Sequence, residues 1–167
     1  MSLDYKIEDA EIDDIEEIRD IYAHYVLNTT VNLDEIVPSL DELQETYELV
    51  VDKSLPYKVA RHNGNVIGFA YAQPFRKRLA YRFTVENSIY VDKNFTGNGI
   101  AQALMSEIIE ECKTDGYKQM IAVVVGDDNT PSINLHQKLG FVERGRLQKV
   151  GFKFGKWLDT LLFQKEL

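Results

Sequence analysis

The chain has a single cysteine, Cys112, among its 167 residues. One thiol makes neither an intrachain disulfide nor a cysteine-built zinc cage, so a reducing cytoplasm is the expected setting. Histidine is scarce as well. His24, His62 and His136 show no metal-ligand spacing, and no metal is expected. Long apolar runs are missing: the longest aliphatic stretch, residues 121–125, falls far short of a membrane span. Positive charge is the minority, with 19 Lys and Arg against 27 Asp and Glu for a net charge of −8. That is the wrong sign for a surface that displaces counterions from nucleic-acid phosphates or binds an anionic membrane. The first turns carry Glu8, Asp9, Glu11, Asp13, Asp14, Glu16 and Glu17 where a targeting segment is basic, so none is expected. Linkers, internal repeats and low-complexity tracts are absent too, which predicts one domain over residues 1–167.

What is present is an ordinary globular composition, 44% apolar and 28% charged. Residues 5–7 read as a short strand. Ile12, Ile15, Ile18, Ile21, Tyr22 and Tyr25 then recur at helical steps. Ser39 followed by Glu42 is a capping-box pattern that opens a second helix, running to about residue 52. Strands at 57–61 and 66–72 flank His62-Asn63-Gly64-Asn65, a hairpin signal, and 83–91 is a further β-rich stretch. A helical pattern occupies 100–112. The continuous apolar run 120–125 predicts a strand buried on both faces. Thr130-Pro131 reads as the N-cap and first residue of a helix ending at Gly140, and residues 141–167 supply two strands around Gly155. The order β-α-α-β-β-β-α-β-α-β-β predicts an α/β fold, a mixed sheet with helices on its faces.

The most informative local feature is Val91-Asp92-Lys93-Asn94-Phe95-Thr96-Gly97-Asn98-Gly99-Ile100-Ala101, which joins a strand to a helix. Glycine permits a sharp turn and close approach of the backbone to a ligand. The first N–H groups of the following helix lack internal partners and carry the positive end of its dipole, a fit for pyrophosphate. A P-loop requires Lys-Ser/Thr where Ile100-Ala101 stands, and a dinucleotide fingerprint requires a small residue where Gln102 stands. The alternative is a tight strand-to-helix connection with no ligand.

In order along the chain stand Thr84-Val85-Glu86-Asn87-Ser88-Ile89-Tyr90-Val91, Gly97-Asn98-Gly99, Asn129-Thr130-Pro131-Ser132-Ile133-Asn134-Leu135-His136, Gly140-Phe141 and Phe152-Lys153-Phe154-Gly155-Lys156-Trp157-Leu158-Asp159. With Thr30-Val31-Asn32 and Tyr71-Ala72-Gln73-Pro74, this set resembles the GNAT superfamily of N-acetyltransferases over nearly the whole length. The nearest branch is the one acting on phosphinothricin and methionine sulfoximine. The resemblance implies a mostly antiparallel twisted sheet whose central strands splay apart. It also implies acetyl-CoA as cosubstrate, a small amino-acid-like amine as acceptor, and a homodimer.

Acetyl transfer needs a neutral amine, yet an amino group is largely protonated near pH 7, so a base must take its proton. Glu86, set in an apolar strand before the turn, is the candidate, and the family glutamate at this place is taken as catalytic. The alternative is a solvent-facing carboxylate, or one paired with Arg78 or Arg82. The resemblance further implies that backbone groups of Ile89, Tyr90 and Val91 pair with the pantetheine arm. An N–H near Val91 would stabilise the developing oxyanion. Gly97, Asn98, Gly99, Ile100, Ala101 and Gln102 would hold the pyrophosphate, while Asn129 and Ser132 would contact the coenzyme. His136, four residues from Ser132, is a candidate acid or second base, or else a packed structural residue. Arg76, Lys77 and Arg78, with Asn87 and Ser88, are the candidate substrate contacts, the alternative for the basic run being a solvated loop.

The chain departs from the branch pattern at Asn94, Thr96, Arg82, Phe154, Leu158 and Leu33-Asp34. The last four bear on acceptor recognition and leave phosphinothricin, methionine sulfoximine, methionine sulfone or another amino acid open. A protein or peptide amine as acceptor, and a non-catalytic acyl-CoA sensor, are the competing functions.

Overall fold

The computed structural model describes residues 2–126 and 128–167. Seven strands form one sheet in the order β1-β2-β3-β4-β5-β7-β6. In sequence they are β1 (Lys6–Asp9), β2 (Tyr57–His62), β3 (Asn65–Pro74), β4 (Thr84–Val91), β5 (Gln119–Val125), β6 (Val142–Lys153) and β7 (Lys156–Glu166). The helices are α1 (Ile15–Asn28), α2 (Leu40–Asp52), α3 (Ile100–Thr114) and α4 (Thr130–Lys138). Every neighbouring pair is antiparallel except β4 and β5.

Local chemistry explains most boundaries. The Ser39 Oγ accepts the Glu42 N–H at 3.2 Å and the Glu42 carboxylate accepts the Ser39 N–H at 2.8 Å, closing the capping box that starts α2. Asn63 and Gly64, at φ 50° and 86°, form the two-residue turn between β2 and β3, whose twist suits a hairpin. Three expectations shift. The first helical segment opens as a short 3₁₀ turn at Ile12–Asp14 before α1 begins. Asn129, not Thr130, is the N-cap of α4, which places Pro131 one residue further in. The strand β5 is not buried on both faces: Met120, Ala122 and Val124 are buried, but Val123 between them is 40% exposed. Helix covers only one of its sides.

The two faces of the sheet have different coverings. On one, Ile100, Leu104, Met105 and Ile108 of α3 are fully buried against the sheet, each contributing about 1.5–3 kcal/mol of apolar burial. Gly68 of β3 permits this contact, because a Cβ there would stand 3.2 Å from Ile100 and 3.3 Å from Leu104. On the other, α1 and α2 lay tyrosines on the sheet: Tyr22 meets Tyr90 edge-on at 4.9 Å, and Tyr47 packs on Tyr57. The Arg61 guanidinium ties β2 to the buried Asp14 at 2.8 Å. The second face is left open beyond α1, along the C-terminal half of the sheet.

Candidate active site

The site begins where β4 and β5 part. They pair only at Thr84–Gln119, Val85–Met120 and Glu86–Ile121, although both strands run on. Beyond Glu86 the edge of β4 facing β5 has no partner strand. Which groups lie along that gap follows from the β3–β4 ladder. Phe75 N–H bonds Thr84 O, and Asp92 N–H bonds Ile67 O. Alternate residues of an antiparallel pair share their bonds, so Glu86, Ser88 and Tyr90 give their backbone to β3. The backbone groups of Asn87, Ile89 and Val91 are the ones that face the gap. The Val91 carbonyl there accepts the Tyr25 hydroxyl at 2.5 Å. Tyr90 is thus corrected from a backbone contact of the gap to a side chain on the sheet face.

The turn after β4 is closed from within. Asp92 Oδ1 accepts the Asn94 N–H at 2.8 Å, and the Asn98 side chain donates to the Phe95 carbonyl at 2.9 Å. The Asn98 amide is therefore committed to the turn, leaving its backbone to serve a ligand. Gly97 and Gly99 lie at φ 80° and 78°, and a Cβ added at either would meet nothing within 4 Å. The helix α3 starts at Gly99 with no side-chain cap, and among the described residues Ile100, Ala101 and Gln102 N–H have no acceptor. The result is an open, uncapped helix start, preceded by two left-handed glycines and followed by a buried Ile100 that anchors it. An anion fits this cradle.

Glu86, Ser88 and Tyr90 share the face away from α3. The Glu86 carboxylate is half-buried, and no described residue forms a hydrogen bond or ion pair with it. Burial raises its pKa, with the Arg76 guanidinium opposing the shift. Neither alternative partner, Arg78 or Arg82, pairs with it. Tyr71, opposite Ser88 across the ladder, lies in hydrogen-bond reach of the Ser88 side chain and within Coulombic reach of Glu86. Arg76, Lys77 and Arg78 are exposed in the β3–β4 connection, and Arg76 stacks over Phe75 at 4.5 Å.

Asn87 and His136 lie on the other side. Asn87 alternates with Glu86 and points under the gap, 8% exposed, with its Nδ2 3.1 Å from His136 Nε2 and 3.6 Å from Met105 Sδ. The His136 ring is 2% exposed and packs on Phe141 and Phe163. Its Nδ1 lies 2.8 Å from the Ser132 carbonyl, so the proton sits on Nδ1 and Nε2 accepts from Asn87. Burial lowers its pKa. The structure therefore brings Asn87 to His136 and neither of them to Glu86. Asn87 is corrected from a substrate contact to a buried support of β4, and the packed reading of His136 is the one its surroundings match. Ser132 Oγ reaches the same ring at 3.3 Å, and among the described residues the Asn129 side chain makes no capping hydrogen bond at the α4 start. A cavity of about 430 Å³ adjoins it, bounded by Thr29, Thr30, Val31, Asn129, Phe154 and Lys156. A cavity of about 510 Å³ beside the α1 start is lined by Glu17, Asp20 and Asp92, carboxylates that suit no phosphate.

Sequence reasoning placed Leu33-Asp34 among the departures that bear on acceptor recognition but assigned no contact to the side chains of Tyr22, Asn32 or Lys153. The Tyr22 hydroxyl donates to Asp34, and Asn32 and Tyr22 both lie beside the Tyr90 hydroxyl. Lys153 is fully buried and donates to the Asn32 carbonyl and side-chain oxygen at 3.2 and 3.1 Å. Burial lowers its pKa, with Asp34 and Glu35 opposing. A signal did exist. Tyrosines at apolar helical positions carry hydroxyls that must find partners, and a lysine between two phenylalanines in a strand must find an acceptor.

An open helix start for a diphosphate, a split sheet edge beside it and a lone carboxylate on the neighbouring strand are the parts of an acyl-transfer site. The model of the acetyltransferase (GNAT) family matches residues 15–141, and the chain belongs to that family. It is 42% identical over 155 residues to a phosphinothricin N-acetyltransferase of Alcaligenes faecalis, covering 93% of this chain and 79% of the relative. It is 35% identical over 150 residues to an L-methionine sulfoximine/L-methionine sulfone acetyltransferase of Salmonella typhimurium, covering 90% and 87%. Among solved structures, a GNAT superfamily phosphinothricin acetyltransferase from Sinorhizobium meliloti in complex with AcCoA superposes with a TM-score of 0.94. That protein is 42% identical, with 98% of this chain and 88% of the other covered. The chain is an acetyltransferase with the mixed, helix-flanked sheet of that fold.

Proposed function

We propose that this chain, acting as one domain, transfers the acetyl group of acetyl-CoA to the amine of a small amino acid such as phosphinothricin, methionine sulfoximine or methionine sulfone. Relatives that are 42% and 35% identical to it carry those names. The observation that carries the mechanism is the unpaired, half-buried Glu86 at the point where β4 leaves β5, with its pKa raised by burial. A carboxylate tuned upward holds a proton better near neutral pH and is the stronger base for an ammonium group.

The residues divide the work. The N–H groups of Gly97 to Gln102 would hold the pyrophosphate without a cationic side chain, and Asn129 would contact the coenzyme from α4. The gap-facing backbone of Ile89 and Val91 would align the pantetheine arm as an added strand does. Acetyl-CoA supplies the activated acyl carbon. Glu86 takes the proton from the amine as its nitrogen attacks the acyl carbon; collapse of the tetrahedral adduct then breaks the C–S bond, and the coenzyme A thiolate leaves and takes up a proton to become the free thiol. The Val91 N–H, held in place by the Tyr25 hydroxyl on the same residue's carbonyl, faces the negative charge that builds on the acyl oxygen. Arg76, near enough to act on Glu86, would receive the acceptor's carboxylate, with Lys77, Arg78 and Ser88 beside it. His136 would keep Asn87 in place beneath the gap. A homodimer in the cytoplasm completes the reading, supported by the exposed Leu147, Val150, Phe152 and Trp157 on β6 and β7.

The test is release of free coenzyme A thiol across a few dozen amino acids and analogues, with Glu86→Gln beside the wild type. The wild type should turn over at least one free amino acid. The variant should lose about a hundredfold or more of kcat/KM near neutral pH while still binding acetyl-CoA. Undiminished acetylation by a folded Glu86→Gln protein would remove the base assignment, and turnover of peptides alone would favour a protein acceptor.

A further inference from the structure

The sheet opens between β4 and β5 although neither strand is irregular there. The β3–β4 register runs unbroken from Gly68–Val91 to Pro74–Val85, and the β5–β7 register from Gln119–Glu166 to Val125–Thr160. No bulge in either strand accounts for the parting, which leaves the side chains packed beneath it. Continued past Glu86–Ile121, the parallel register would set Asn87 opposite Ala122. His136 of α4 lies under that position. Its ring stacks on Phe163, the β7 partner of Ala122, and its Nε2 meets Asn87 Nδ2 at 3.1 Å. Cross-strand partners share a face, so the imidazole spans the underside of the sheet from β7 to β4. Its Nδ1–H donates to the Ser132 carbonyl at 2.8 Å, which fixes the ring to α4. Asn87 Oδ1 is buried with no partner among the described residues. An apolar side chain would avoid that loss, so fold stability alone does not account for an amide here.

We propose that Asn87 and His136 are positioning residues that hold the coenzyme slot open, their hydrogen bond tying β4 to α4 at the level where β4 would otherwise close onto β5. This rests on the coenzyme role proposed above. With the tie in place, the gap-facing backbone of Ile89 and the Val91 N–H stay unpaired by β5 and free for a pantetheine amide. Without it, the bare backbone edges of the two strands satisfy each other, as buried backbone groups do wherever they can. A slot held open in advance spares the coenzyme from breaking strand pairing on entry. Both side chains lie on the face opposite Glu86 and act only through the backbone.

The experiment reads amide hydrogen exchange residue by residue and initial rates in wild type, in the double variant Asn87→Val with His136→Leu, and in His136→Gln. In coenzyme-free wild type, the Ile89 and Val91 amides should exchange about tenfold or more faster than those of Ser88 and Tyr90, which β3 holds, and should slow when coenzyme A is added. The double variant removes both polar partners together. Its Ile89 and Val91 amides should be protected without coenzyme, and its KM for acetyl-CoA should rise about tenfold or more, the cost of reopening backbone hydrogen bonds, while kcat at saturation falls far less. His136→Gln, which keeps an acceptor for Asn87, should restore open exchange and most of the lost affinity. Faster exchange throughout the double variant, or an unchanged KM for acetyl-CoA, reduces the pair to packing and overturns the assignment while acetyl transfer stands. Should the double variant fail to fold, the wild type decides alone: Ile89 and Val91 as protected as Tyr90 without coenzyme means that no slot is held open. Wild type that binds no acetyl-CoA overturns the coenzyme role and this inference together.

Discussion

Glu86 is the residue at which stability and catalysis oppose each other. Its pKa is raised by burial, so the folded chain holds that proton more tightly than the unfolded chain does. The stabilisation this brings is complete below the ordinary glutamate value and is lost as pH rises through the folded pKa. At neutral pH the ionised carboxylate is therefore a burden on the fold. Glu86→Gln should unfold at a higher temperature than wild type near pH 7, and the difference should disappear near about pH 4, where both are uncharged. Paired melting curves at the two pH values check this. Equal melting temperatures at pH 7 would mean the carboxylate is not desolvated. Asn87, one residue on, shows how narrow residue-scale inference is. The sequence places it with Ser88 among the substrate contacts, yet strand alternation sets it on the side opposite Glu86 and Ser88, against His136.

At the scale of elements, the junction of β4 and α3 carries the coenzyme proposal. Gly97 and Gly99 hold left-handed backbone with open space where a side chain would be, so their value is conformational. Gly99→Ala should lose about 1–2 kcal/mol in unfolding free energy from the backbone conformation. It should raise the KM for acetyl-CoA more than that for the amine, since only the diphosphate cradle is distorted. Denaturant titration and initial-rate kinetics measure the two effects separately. An increase confined to the amine KM would place the cradle elsewhere. The β4–β5 split is an element-scale property too. The two strands remain paired for three residues and then diverge over Asn87, with the buried His136 and α4 on that side of the sheet.

For the whole molecule, the acidic surface and the apolar β6–β7 hairpin bear on assembly. Phe152 and Trp157 pack on each other at 5.0 Å and are 52% and 63% exposed, an apolar pair better placed at an interface than in water. Light scattering on eluted protein should give twice the chain mass, and Trp157→Asp should shift it toward the monomer. A wild-type monomer at micromolar concentration would remove the dimer from the proposal. Among the described residues no helix is long and apolar enough to cross a membrane, and no cluster of three His, Cys, Asp or Glu side chains could hold a metal.

Taken alone, the sequence determined what depends on neighbours along the chain. The capping box at Ser39, the hairpin at Asn63-Gly64, the glycines of the turn and the element order all follow from residues a few places apart, because turn and cap energetics are local. Only the tertiary structure decided the surroundings of side chains contributed by distant segments. Whether His136 is buried, which backbone groups face the gap and which face of β5 stays open depend on how sheet and helices pack. The buried polar cluster is the clearest case: Lys153 reaches Asn32 across 121 residues of sequence and ties the loop after α1 to β6. Burial and charge act through space, and no pattern along the chain specifies that distance.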